Sequence, residues 1–124
     1  MDQKPPSILI VDDSETNLVL LTAVLEEGGW EVQAADSAAN AMEKLKTSVP
    51  ELILLDLLMP RIDGYQMLDK LKSDERLRQI PVIVISAVND PDTRKKCLSK
   101  GAVDYMPKPV IIQEVLDKVR NILG

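Results

Sequence analysis

Short apolar clusters alternate with amphipathic stretches along the whole chain. "SILIV" (7–11) is compact and rich in branched residues, which predicts a buried strand. It stops at Asp12-Asp13. "SETNLVLLTAVLEEGG" (14–29) opens on a capping-type Ser14 and closes on Gly28-Gly29, the punctuation of a helix. Asn17, Leu20, Leu21, Val24 and Leu25 predict its inward face, which leaves Leu18 and Val19 facing partly outward. "WEVQAA" (30–35) alternates and reads as a strand with one less buried face. Residues 37–48 predict a second helix, "LILL" (52–55) a third strand, and 63–74 a third helix. "PVIVIS" (81–86) predicts the fourth strand, and 90–101 a helix with Pro91 near its first turn and Gly101 at its end. "AVDYM" (102–106) is a short fifth strand. Residues 111–123 carry Ile112, Val115, Val119 and Ile122 at helical spacing.

Five strands alternating with five helices predict an α/β fold: a parallel sheet covered on both faces. With right-handed crossovers, the natural arrangement is the flavodoxin-like, doubly wound order 2-1-3-4-5. Its ligand site lies beyond the carboxyl ends of the strands, where strands 1 and 3 diverge. The 124 residues fit one domain, 1–124, with 1–6 a flexible lead.

Composition narrows the chemistry. There is no histidine and a single cysteine, Cys97, which excludes histidine general bases and internal disulfides and argues strongly against structural zinc. A net charge of −5 argues against direct nucleic-acid binding. No apolar run has the length of a membrane span and no signal pattern opens the chain. A cytoplasmic setting is expected, with Cys97 a small core residue.

The polar residues then fall into place. Asp12 and Asp13 follow strand 1, Asp56 ends strand 3, Ser86 ends strand 4 and Lys108 follows strand 5. All share the carboxyl edge of the predicted sheet. Taken singly, an aspartate at a strand end is usually a cap or turn residue, a serine there is turn chemistry, and a lysine before proline is solvated. Their convergence from four strands is what points to a site. Three crowded carboxylates repel one another and invite protonation or a cation. Mg²⁺ takes oxygen ligands and suits the set, with Mn²⁺ as a substitute. Together with an ammonium and a hydroxyl donor this suits a phosphoryl group, with an aspartate as nucleophile.

At these positions the sequence resembles the receiver domain of two-component response regulators, chemotaxis regulators among them. "ILIVDDS", "LILLDLLMPRIDG", "VIVISA" and "GAVDYMPKP" match the family pattern in order and spacing, from about Ser7 to Gly124. Receivers are themselves standing examples of the 2-1-3-4-5 order, so that part of the agreement is not independent. The resemblance implies Asp56 as phospho-acceptor, Asp13 as direct metal ligand, Asp12 as ligand largely through water, and the Leu58 carbonyl as a further ligand. It implies that Lys108 pairs with the phosphoryl group, that Ser86 bonds to it after transfer, and that the small Ala87 leaves it room. A cis Lys108–Pro109 peptide and an aromatic switch at Tyr105 belong to the same pattern. The implied donor is a sensor histidine kinase or histidine phosphotransfer protein. The implied product is a reshaped surface of helix 4, strand 5 and helix 5, read by an output domain or target protein. Such a chain catalyses only its own phosphorylation and dephosphorylation.

Other readings of the same order are a flavin electron carrier, an aspartate-nucleophile hydrolase or mutase, and a receiver-like module that works without phosphorylation. Asp12-Asp13 would repel a flavin phosphate, and Leu58 stands where a hydrolase would carry its second carboxylate. The full set of Asp12, Asp13, Asp56, Ser86 and Lys108 argues against the third. Leu58 and Val88, both apolar, predict slow loss of the phosphoryl group. Leu18 and Val19 are expected to dock the phosphodonor. The basic run Arg94, Lys95, Lys96 and Lys100, with Ile111, Leu116 and Asp117, suggests a phosphorylation-dependent homodimer.

Overall fold

The computed structural model describes residues 7–57, 64–87 and 90–124. Along the chain come β1 (Ser7–Val11), α1 (Glu15–Glu27), β2 (Glu31–Ala35), α2 (Ala38–Leu45), β3 (Leu52–Asp56), α3 (Gly64–Ser73), β4 (Val82–Ser86), α4 (Pro91–Ser99), β5 (Asp104–Pro107) and α5 (Ile112–Leu123). The strands form one parallel sheet in the order β2-β1-β3-β4-β5. The expected elements and their order are therefore present. Residues 1–6, expected as a flexible lead, lie outside the described residues.

Alternation along each strand builds two apolar layers, because successive side chains leave opposite faces of a sheet. Ile8, Ile10, Leu52, Leu54, Ile83 and Ile85 pack under α1 and α5. Leu9, Val11, Ile53, Leu55, Val82 and Val84 pack under α2, α3 and α4. Every residue of β3 and β4 is buried. This is why those stretches read as unbroken apolar runs rather than as alternating ones.

Helix starts follow their caps. Ser14 Oγ accepts the Asn17 N–H at 3.3 Å, Ser37 Oγ accepts the Asn40 N–H at 3.0 Å, and Asp90 Oδ1 accepts the Thr93 N–H at 2.7 Å. The rotation of α1 differs from the expected one. Leu18, Leu21 and Leu25 point inward, with Leu18 only 9% exposed, while Leu20 is 40% and Val19 64% exposed. The helix is apolar on nearly every side, so its period alone does not fix which stripe faces the sheet. The polar Asn17, held at the sheet edge, settles it. Leu18 is thus a core residue and not an outward one. In α5 the inward residues are Val115 and Val119, while Ile112 is exposed.

Candidate functional site

β1 and β3 are neighbours, and the chain leaves them in different directions at their carboxyl ends. Asp12 and Asp56 stand at those two ends. Asp12 is 2% exposed, and its N–H donates to the Ala35 carbonyl at 3.1 Å. Its Oδ1 accepts the Ser14 N–H at 2.8 Å, a turn that reverses the chain into α1. Asp56 is 3% exposed, with Leu57 N–H donating to the Ile85 carbonyl at 3.1 Å just beyond it. Asp13 is exposed at the mouth. One carboxylate oxygen from each of Asp12, Asp13 and Asp56 lies within 4.8 Å of the others.

Holding Asp56 out of water costs several kcal/mol, by the usual effective penalty for a buried ion. Four fully buried aliphatic residues, Leu52 to Leu55, precede it. At roughly 1.5–3 kcal/mol each, their burial outweighs that cost, so the strand can carry a carboxylate on its tip.

Lys108 supplies the opposing charge. Its N–H donates to the Ser86 carbonyl at 2.8 Å, which sets it beside the end of β4. The Lys108–Pro109 peptide is cis, as expected. Its Nζ lies 3.4 Å from Asp12 Oδ2 and 3.3 Å from Asp56 Oδ2. One ammonium thus bridges two buried carboxylates. Repulsion between Asp12 and Asp56 at this spacing is roughly 3–4 kcal/mol at an effective dielectric of about 20, so the bridge answers a real term. Three carboxylates against one lysine still leave an excess of negative charge. Oxygen donors only, carrying an excess of negative charge, suit a hard divalent cation. Ser86 is fully buried at the end of β4. Ala87 lines a cavity of about 430 Å³ that also takes in Asp12, Asn17, Leu20 and Lys108.

A family model described as "Response regulator receiver domain" matches residues 8–120. The chain belongs to the response regulator receiver family. Among relatives of this receiver, the two-component response regulator ORR11 of Oryza sativa subsp. indica is 36% identical over 107 residues, covering 86% of this chain and 73% of that protein. Response regulator PleD of Caulobacter vibrioides is 37% identical over 115 residues, covering 93% of this chain but 25% of PleD. The signal receiver domain of a signal transduction histidine kinase from Syntrophus aciditrophicus superposes with a TM-score of 0.87 at 36% identity, covering 95% of this chain and 89% of that one. Receivers of this family work with histidine kinases and output domains. No helix among the described residues is long and apolar enough to cross a membrane.

The second expected surface lies around β5. Tyr105 is buried, and its hydroxyl has no hydrogen-bond partner among the described residues. Just before it, Asp104 Oδ1 accepts the Tyr105 N–H at 2.7 Å and Oδ2 accepts from Lys118 Nζ at 2.6 Å. Burial pushes the Asp104 carboxyl up, but the bonds from Lys118 and Tyr105 and the charges of Lys118 and Arg94 outweigh it and hold the group below its ordinary value. The basic run on α4 is partly committed to α3. Lys100 pairs with Asp69 at 3.1 Å, and Lys96 Nζ lies 4.0 Å from the centre of the Tyr65 ring. Cys97 is buried, as expected, and burial pushes its thiol up, away from thiolate chemistry.

Leu58 and Val88 lie outside the described residues. Val19 is exposed as expected for a docking residue, whereas Leu18 is buried and its place on that face is taken by Leu20. Two groups escaped the sequence reading. Asn17 was expected to fill the inward stripe, yet its Nδ2 donates to Asp12 Oδ2 at 3.3 Å. An amide five residues after Asp12, in a helix otherwise full of leucine, was the available signal. The Asp104–Lys118 pair spans 14 residues and has no local signature.

Proposed function

We propose that this receiver is a signalling switch that accepts a phosphoryl group on Asp56 from a phosphohistidine on a sensor histidine kinase or histidine phosphotransfer protein. The observation that carries the reading is the Lys108 ammonium lying between the buried Asp12 and Asp56 carboxylates at the sheet's rim. With no histidine of its own, the chain depends on a partner for the donor imidazole. An Asp56 oxygen attacks the phosphorus in line, the O–P bond forms, and the P–N bond to the donor imidazole breaks. Asp12, Asp13 and Asp56, with the Leu58 carbonyl, are the residues that would hold Mg²⁺, which when bound offsets charge on the transferring oxygens.

Lys108 turns from the carboxylates to the phosphoryl oxygens, and Ser86 donates its hydroxyl to them in the room left by Ala87. Tyr105 follows into the space that Ser86 vacates. Its hydroxyl lacks a partner among the described residues, a cost of about 1–3 kcal/mol that a second placement of the ring can relieve. The surface of α4, β5 and α5 changes with it and is read by an output domain or target protein. A phosphorylation-dependent homodimer through that surface would use Arg94 and Lys95, since Lys96 and Lys100 are engaged with α3. The donor docks on the exposed Val19 and Leu20 of α1, beside the cavity at Asp12 and Lys108. The chain's own activity is limited to its phosphorylation and dephosphorylation. It acts in the cytoplasm, without direct contact to nucleic acid or membrane, in keeping with its net charge of −5.

Labelling with acetyl phosphate and Mg²⁺, read by intact mass, tests the assignment. The wild-type chain should gain one phosphoryl group and Asp56→Asn none. Uptake by Asp56→Asn at the wild-type rate would overturn it.

A further inference from the structure

We propose that Asn17 is a positioning residue for Asp12, holding that carboxylate ready for a divalent cation once Lys108 has left it. The inference rests on reading the site as a Mg²⁺-dependent phospho-acceptor, and it concerns a side chain outside the acidic set. Asp12 Oδ2 faces two donors: Lys108 Nζ at 3.4 Å and Asn17 Nδ2 at 3.3 Å. The other oxygen, Oδ1, is occupied by the Ser14 N–H at 2.8 Å. Lys108 also serves Asp56, at 3.3 Å, so its ammonium is shared. Once it turns to a phosphoryl group, Asn17 is the remaining side-chain donor to Asp12 among the described residues.

The two donors differ in kind. Lys108 ends a long flexible stem and carries a charge that competes with a cation for the same oxygens. Asn17 has a short side chain with few rotamers. It sits in the first turn of α1, where its own N–H is fixed to Ser14 Oγ at 3.3 Å. Its amide is neutral, so it orients the carboxylate without weakening the site's attraction for a cation. Leucine at this position would leave Oδ2 to Lys108 alone. Aspartate would add a fourth negative charge. Asn17 also lines the same cavity as Asp12, Ala87 and Lys108.

The test is Mg²⁺ binding by isothermal titration calorimetry on the full chain, with melting in EDTA as the fold control. Asn17→Leu should weaken Mg²⁺ binding about tenfold, the usual order for a hydrogen bond to a charged group. Asn17→Gln, which keeps an amide donor, should recover part of that loss. Melting of the metal-free variants should stay close to wild type, which a purely structural role would not give. If Asn17→Leu does not fold, Asn17→Ala carries the same expectation. A folded donor-less variant that binds Mg²⁺ within twofold of wild type would overturn the inference. A wild-type chain that binds no Mg²⁺ would instead sink the parent reading, so the two failures are distinct.

Discussion

A single missing side chain lets the start of α3 approach the backbone that presents Asp56. Gly64 opens α3, and its N–H donates to the Leu57 carbonyl at 2.7 Å. A Cβ there would meet Leu57 Cα at 2.5 Å, Leu57 O at 2.8 Å and Asp56 O at 3.0 Å. All three are backbone atoms of the residues that present the carboxylate, and they cannot step aside as a side-chain tip can. Gly64→Ala is expected to destabilise the fold by about 1–3 kcal/mol, the usual range for overpacking. Because the shift falls on Asp56 itself, labelling by acetyl phosphate should slow as well. Denaturant melts and the intact-mass assay check both effects, and an unchanged melt would show that the Leu57 backbone gives way at little cost. The residues of the acidic site were legible because strand ends announce themselves in sequence. Gly64 was legible only as the end of a family motif, since close approach between backbones leaves no pattern of its own.

Elements were legible where hydrophobic period and caps agreed. α2 and α4 start directly after Ser37 and Asp90, as their sequences suggest. α1 was legible as a helix but not in its rotation, because leucine and valine surround it and the bond from Asn17 to Asp12, five residues away, leaves no mark in the hydrophobic period. β5 is tied to α5 by Asp104 and Lys118, and the tie is pH-dependent. Asp104 has its carboxyl held below the ordinary value. Its folded state therefore binds fewer protons than the unfolded chain near pH 4, and stability rises with pH there. The contribution is fully present above the unfolded value of about 3.9 and is lost as pH falls through the lower folded value. Comparing Asp104→Asn with wild type by thermal melts, the deficit should be constant from pH 5 to 7 and close as pH drops toward 3. A deficit independent of pH would mean that the ion pair contributes nothing through its charge.

At the scale of the molecule, the sheet order places three acidic groups at one mouth and leaves their repulsion uncompensated by Lys108 alone. A cation that binds the folded chain and not the unfolded one stabilises it by mass action. At about a hundred times its dissociation constant, Mg²⁺ should raise the melting temperature by roughly 5–10 °C. Asp13→Asn, at the exposed edge of the cluster, should remove most of that gain and raise the melting temperature of the metal-free chain. Calorimetric scans with and without EDTA check both signs. The order itself was legible from the alternation of elements. The chain's one tryptophan, Trp30, lies at the opposite end of the sheet, just before β2. It is buried against Gly28, with the Arg120 guanidinium 5.9 Å from its ring centre. Five residues of β2 put it roughly 15–20 Å from the acidic rim. Its emission should therefore follow the packing of α1 and α5 on the sheet during folding, from a place well away from the acidic rim.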